Sequence, residues 1–274
     1  MGVQVVDLNC DMGESFGAWK MGDDERIFPT ISSANVACGF HAGDPRVIDR
    51  TVRTAHEHGV AVGAHPSFFD LVGFGRRDLG VTPAEARTDV LYQIGAVAGF
   101  ARKYGLRLQH VKPHGQLNNL ALHDRALAEA IVQGVFDFDP ELILVSYGGE
   151  LARAAADAGL RVANEVFADR AYNPDGSLVS RRIPGAVIDD PDRVVTRAVA
   201  MIRDGAVTAV DGSRLALPVD TICVHGDTPG AADLAAKLRA ALARERIDVA
   251  PMSAVLARRD AAGSASAHAA SARP

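Results

Sequence analysis

Cysteine is scarce: three residues in 274, Cys10, Cys38 and Cys223, with no CxxC pair among them. An odd count without paired spacing argues against a disulfide framework, and a reducing cytoplasm is the expected compartment. Cys10 and Cys38 lie near polar strand ends, where a small buried residue is the first reading and a nucleophilic thiol the second. Positive charge is not in excess either. The formal net charge of −5 argues against an electrostatic nucleic-acid binder. No run approaches the ~18 apolar residues of a transmembrane helix, so no membrane association is expected. The opening MGVQVVDLN reads straight into a strand, without the basic, apolar and small-residue sections of a secretory leader. There is no GxxxxGKS or GxxxxGKT phosphate loop, no GxGxxG after a strand and no GxSxG elbow.

What is present is ordinary globular composition, 48% apolar and 23% charged, at a length that suits one large α/β domain or two small ones. Short Val-, Ile- and Leu-rich runs near 3–8, 34–38, 60–64, 107–111, 142–146, 161–166 and 221–224 read as buried strands. Helical stretches alternate with them. Asp44-Pro45, Thr82-Pro83, Asp190-Pro191 and Thr228-Pro229 each place a capping residue before a proline. Glu85, three residues after Thr82, completes a capping box. Segments 124–136 and 148–158 also read as helices. Segments 170–188 and 208–220 carry Asp-Gly turn signals and read as hairpin-like excursions. The Ala- and Ser-rich stretch 259–274 reads as a disordered tail, leaving a single catalytic domain over 1–258.

Strands alternating with helices predict a parallel barrel or a doubly wound sheet. Polar residues decide for the barrel, because they end nearly every apolar run instead of gathering at one switch point. Asp7, Asn9, Asp11 and Glu14 follow the first run, and the first three share a face if the strand continues that far. Asn35 and His41 follow the second, His65 the third, Lys112 and His114 the fourth, Glu165 and Arg170 the sixth, His225 and Asp227 the last.

Asp11, His41 and His65 form a candidate ligand set for a divalent metal, although each histidine alone is also explained by a structural hydrogen bond. Lys112 can hold an anion or a developing oxyanion, and His114 can transfer protons near neutral pH. With Glu165, these are the expected catalytic residues. Asp7, Asn9, Glu14, Asn35, Arg170, His225 and Asp227 are the expected substrate-binding residues. Arg170 reads as an anion clamp or a surface charge, and Asp227 equally as helix-start chemistry.

The blocks DLNCDMGESFGAW, ANVACGFHAGDP, GAHPSFFDLVGFGRR, VKPHGQLNN, EVFADRAY and CVHGDTP, in this order from about Val5 to Pro251, resemble the LamB/YcsF lactam-utilisation family. The resemblance implies a (β/α)7-type barrel of the glycoside hydrolase/deacetylase superfamily. It also implies one component of a 5-oxoprolinase that opens 5-oxo-L-proline to L-glutamate with ATP as co-substrate, alongside two partner subunits, B and C. Two alternatives stay open: a metal-dependent deacetylase or amidohydrolase, and a non-catalytic subunit that binds substrate for its partners.

Overall fold

The computed structural model describes residues 4–271 apart from His225 and 227–229, with side chains described as far as Ala262. Seven parallel strands close into a barrel: β1 (Gln4–Met12), β2 (Ser33–Ala37), β3 (Ala61–His65), β4 (His110–Val111), β5 (Ile143–Ser146), β6 (Arg161–Val166) and β9 (Thr221–Val224). β9 pairs with both β6 and β1, which closes the ring and leaves it no free edge. Parallel strands need crossovers, and helices supply them. These are α1 (Asp24–Ile27), α2 (Pro45–His58), α3 (Pro83–Lys103), α4 (Gly115–Ala121), α5 (Arg125–Phe138), α6 (Gly149–Asp157), α7 (Pro191–Asp204) and α8 (Ala231–Arg244), and α9 (Met252–Ser271) follows the last strand.

The proline-led starts form at three of the four expected positions. Asp44 accepts from the Arg46 and Val47 amides, Asp190 from those of Asp192 and Arg193, and Thr82 with Glu85 forms the full capping box. Thr228-Pro229 lies outside the described residues. Segment 206–216 forms an antiparallel hairpin, β7 (Ala206–Thr208) with β8 (Arg214–Ala216). Segment 170–188 folds back through the bridges Arg170–Val187 and Tyr172–Leu178.

The short helices α1 and α4, and two elements near the C-terminal end, were not read from the sequence. β10 (Ile247–Val249) extends the sheet beside the start of β1. Helix α9 runs through the boundary expected at Arg259 and on to Ser271. Alanine favours a helix more than any other residue, and Arg259 ties α9 to the barrel through Asp220 at 2.6 Å. Met252 and Leu256 of α9 pack on Ile143, Val145 and Ala163, which seals the N-terminal end of the barrel. The other end is therefore the open one, where the strand tips converge.

Candidate active site

β1 continues to Met12, so Asp7, Asn9 and Asp11 all face the barrel interior in a ladder from floor to mouth. Asp7 at the floor accepts from Ser32 (2.7 Å), Ser33 (2.6 Å) and Thr221 (2.5 Å). Burial outweighs those bonds and pushes its carboxyl up to about 6. Asn9 donates to Glu165 (3.1 Å) and Thr221 (2.7 Å) and accepts from Asn35 (2.7 Å). Asn35 also donates to Asp11 at 2.8 Å and faces the His110 Nε2 at 2.7 Å. The His110 ring fits only because residue 63 is glycine: a Cβ there would overlap the ring.

Lys112 tops this ladder. Its ammonium reaches Glu165 (2.8 Å), Asp11 (3.0 Å), Cys223 Sγ (3.2 Å) and Asn9 Oδ1 (3.3 Å). Burial opposes charge on both partners, but the pairing wins. Asp11 is held well below the usual carboxylate range by His65 and Lys112, and Lys112 well above the usual lysine range, by Asp11 first. The mouth thus carries a fixed ammonium and a fixed carboxylate side by side.

Three histidines adjoin them. His65 Nδ1 lies 2.6 Å from the Lys112 carbonyl and His114 Nε2 lies 3.0 Å from the Phe74 carbonyl. A carbonyl only accepts, so both nitrogens carry protons. That leaves His65 Nε2 and His114 Nδ1 as the other nitrogens, 3.0 Å apart. Asp11 Oδ2 lies 3.3 Å from the same His65 nitrogen, so a cation placed there, a proton or a metal ion, is shared between imidazole and carboxylate. Burial, then the His65 neighbour, pushes His114 down to about 3. His41 is also pushed well below the ordinary histidine value, by burial and then by His114 and His65. His41 stacks on His114 with ring centres 3.9 Å apart. Its Nε2 lies 3.3 Å from Glu14 Oε1, which is 3.7 Å from His114 Nδ1.

Glu14, His41, His65 and His114 offer ligand atoms within 4.8 Å of one another. The expected Asp11, His41 and His65 set is therefore redrawn. Glu14 and His114 join the two histidines, while Asp11 spends one oxygen on Lys112 and Asn35 and turns the other to His65 Nε2 at 3.3 Å. Three imidazoles and a carboxylate suit a divalent transition metal or zinc. Gly75, at φ +65°, lets the chain pass over this group, since a Cβ there would press on Ser67, His114 and His41.

A cavity of about 520 Å³ opens above, lined by Asp11, His65, Lys112, His114, Tyr147 and Arg170 among others. Asp7, Asn9 and Asn35 do not reach it. All three are fully buried below the mouth, so they support Lys112 and Asp11 and are not placed to touch a ligand, as had been expected of them. Glu165 sits likewise beneath Lys112, 4% exposed, as its counter-charge. His225 and Asp227 lie outside the described residues. Sequence reasoning missed Arg76, Tyr147, Asn119 and Cys223 of the lining: Arg76 lies on a loop, Asn119 within α4, Tyr147 just past β5 and Cys223 on β9, where an aromatic and a thiol give no charged strand-tip signal.

Fold and site together define a parallel β/α-barrel protein with a buried cluster of charged and imidazole groups at its C-terminal mouth. The chain belongs to the LamB/YcsF family, whose sequence model matches residues 6–257. It is 55% identical over 250 residues to a Syntrophobacter fumaroxidans protein named as the A subunit of 5-oxoprolinase, covering 91% of this chain and 99% of that one. A Pyrococcus horikoshii protein of the same name is 53% identical over 248 residues, covering 90% and 97%. The crystal structure of a lactam utilization protein from Thermus thermophilus superposes with a TM-score of 0.87 at 49% identity, covering 90% of this chain and 99% of the other. Among the described residues, no helix is long and apolar enough to cross a membrane.

Proposed function

We propose that this chain is the lactam-opening component of a cytoplasmic, ATP-dependent 5-oxoprolinase that works with two partner subunits, B and C. The observation that carries the reading is the buried Lys112–Asp11 pair beside His65 and His114 at the floor of a small polar cavity, in a chain so similar to proteins named as the A subunit of 5-oxoprolinase. A five-membered lactam is a resonance-stabilised amide with little ring strain, so its hydrolysis needs activation. Transfer of the ATP γ-phosphoryl group to the lactam oxygen releases ADP and makes the ring carbon electrophilic. Water then adds to that carbon and loses a proton, the C–N bond breaks as its nitrogen gains one, and a second water hydrolyses the resulting acyl phosphate to glutamate and phosphate.

The chain's own groups match these demands. Lys112 neutralises the phosphoryl group carried by the lactam oxygen and the oxyanion that develops as the added water gives up its proton, a role worth roughly 3–4 kcal/mol where one such donor is removed. Asp11, held ionised, is the base placed to take the proton of the attacking water, while His114, held neutral, keeps its Nδ1 lone pair for a cation. Glu14, His41, His65 and His114 hold a divalent cation in this reading, and when bound it would act as a Lewis acid toward water or the carbonyl oxygen.

Glutamate release from 5-oxoproline with ATP tests the proposal. Turnover is expected when the chain is combined with its partner subunits, and little from the chain alone. Turnover that persists when this chain is left out would overturn it.

A further inference from the structure

The proposed substrate carries a carboxylate on the carbon beside its ring nitrogen, and none of the groups assigned above binds it. Arg170 is placed to do so. It begins the 170–188 excursion, lines the cavity and is 7% exposed. Its Nη2 donates to the Val179 carbonyl at 2.7 Å, and its backbone is held by the Val187 bridge and by Arg197, which donates to its carbonyl at 2.9 Å. Its Nε is buried without a hydrogen-bond partner, and among the described residues it forms no ion pair. Arg181, which lines the same cavity, adds like charge nearby, and this outweighs the attraction of the neighbouring Asp169. A buried guanidinium without a paired anion is costly, and an orphan N–H adds to that cost.

We propose that Arg170 is the carboxylate-recognition residue of this cavity, so that the site selects lactams bearing a carboxylate over neutral ones. The inference rests on the lactam reading. A planar carboxylate can take the Nε–H together with a neighbouring Nη hydrogen as a two-point pair, and an ammonium cannot reproduce that fork. A phosphate would satisfy the same guanidinium. Sharing the cavity with Lys112, Asp11 and His114 favours the lactam acid, which would present carboxylate and ring carbonyl together.

Titration calorimetry on the full chain tests this with 5-oxo-L-proline, its neutral carboxamide, inorganic phosphate and ATP. The parent is expected to prefer the acid over the amide by about 30-fold, equivalent to ~2 kcal/mol at 1.4 kcal/mol per factor of ten. Arg170→Met should reduce that preference to under about 3-fold while leaving affinity for the amide close to the parent's. Arg170→Lys keeps charge and stem and should retain only part of the preference, and it carries the test if the Met variant fails to melt cooperatively. An undiminished preference in a folded variant overturns the inference and leaves the lactam reading standing. A variant that keeps the preference but loses phosphate or ATP affinity overturns it too, by assigning Arg170 to a phosphate. If neither lactam binds the parent, the lactam reading fails and this inference with it.

Discussion

Replacing Lys112 with methionine keeps the stem and removes the ammonium. In the parent that ammonium lies 2.8 Å from Glu165 and 3.0 Å from Asp11, with its side chain 9% exposed. Without it, the buried Glu165 carboxylate and the partly buried Asp11 carboxylate both lose the ammonium that pairs them. Breaking a buried pair in this way costs about 3–5 kcal/mol. For a domain of this size each kcal/mol lowers Tm by about 2–4 °C, so a fall of roughly 10 °C is expected at pH 7. The pH dependence is diagnostic. Lys112 helps hold Asp11 well below the usual carboxylate range, so its stabilising charge is present above the unfolded-state value and lost only as pH falls through the depressed one. In Lys112→Met that depression is relieved, Asp11 takes up a proton more readily, and the deficit should shrink from pH 7 toward pH 5. Adding Glu165→Gln should recover part of the loss. In the assembled enzyme, kcat and kcat/KM should fall together by about 10²–10³, the pattern of a lost transition-state contact. Thermal melts across pH and steady-state kinetics read both effects. A variant that melts within about 1 °C of the parent would refute the buried-pair argument, and unchanged kcat and KM would remove Lys112 from the site.

Further outcomes follow from the same geometry. His65→Ala and His41→Ala should abolish stoichiometric binding of zinc or manganese, read by elemental analysis after dialysis, while Asp11→Asn keeps most of it; equal loss in all three would return Asp11 to the ligand set. His110 is pushed down to about 3 by burial, against 6.5 for the free group. The unfolded chain therefore binds a proton there that the folded chain does not, and stability is lost as pH falls below 6.5, by ~2 kcal/mol at pH 5 from this residue. Asp7, pushed up to about 6, acts in the opposite sense. Urea melts of parent and His110→Gln should show the variant with the flatter acid slope, and parallel slopes would contradict the assignment.

The barrel was legible because its strands are short apolar runs with polar ends, and because Asp44, Thr82 and Asp190 mark helix starts through local chemistry. Lys112, His114 and His65 could be placed at the mouth for the same reason: position along a strand fixes position in a barrel. The alternation of Asp7, Asn9 and Asp11 predicted a shared face, and β1 provides it, but alternation does not say how deep each residue sits. Depth is what separates Asp11 at the cavity from Asp7 at the floor. Glu14 was named as a site residue, but its place beside the histidines was not legible, for another reason. It follows β1 by two residues, past a left-handed Gly13 (φ +71°), so its approach to His41 and His114 depends on loop geometry that strand periodicity does not describe. The unpartnered Nε of Arg170 is a property of packing and leaves no trace in the sequence.

The most direct measurement of the central claim is glutamate formation from 5-oxo-L-proline and ATP by the complex reassembled with Asp11→Asn. Asp11 lines the cavity, touches both Lys112 and His65, and tolerates the isosteric change without a new cavity. The account predicts a correctly assembled complex whose turnover falls by at least about 100-fold, within the range of losses seen when one catalytic group is removed. Turnover equal to that of the parent complex, with assembly intact, would contradict it and move the chemistry to one of the partner subunits.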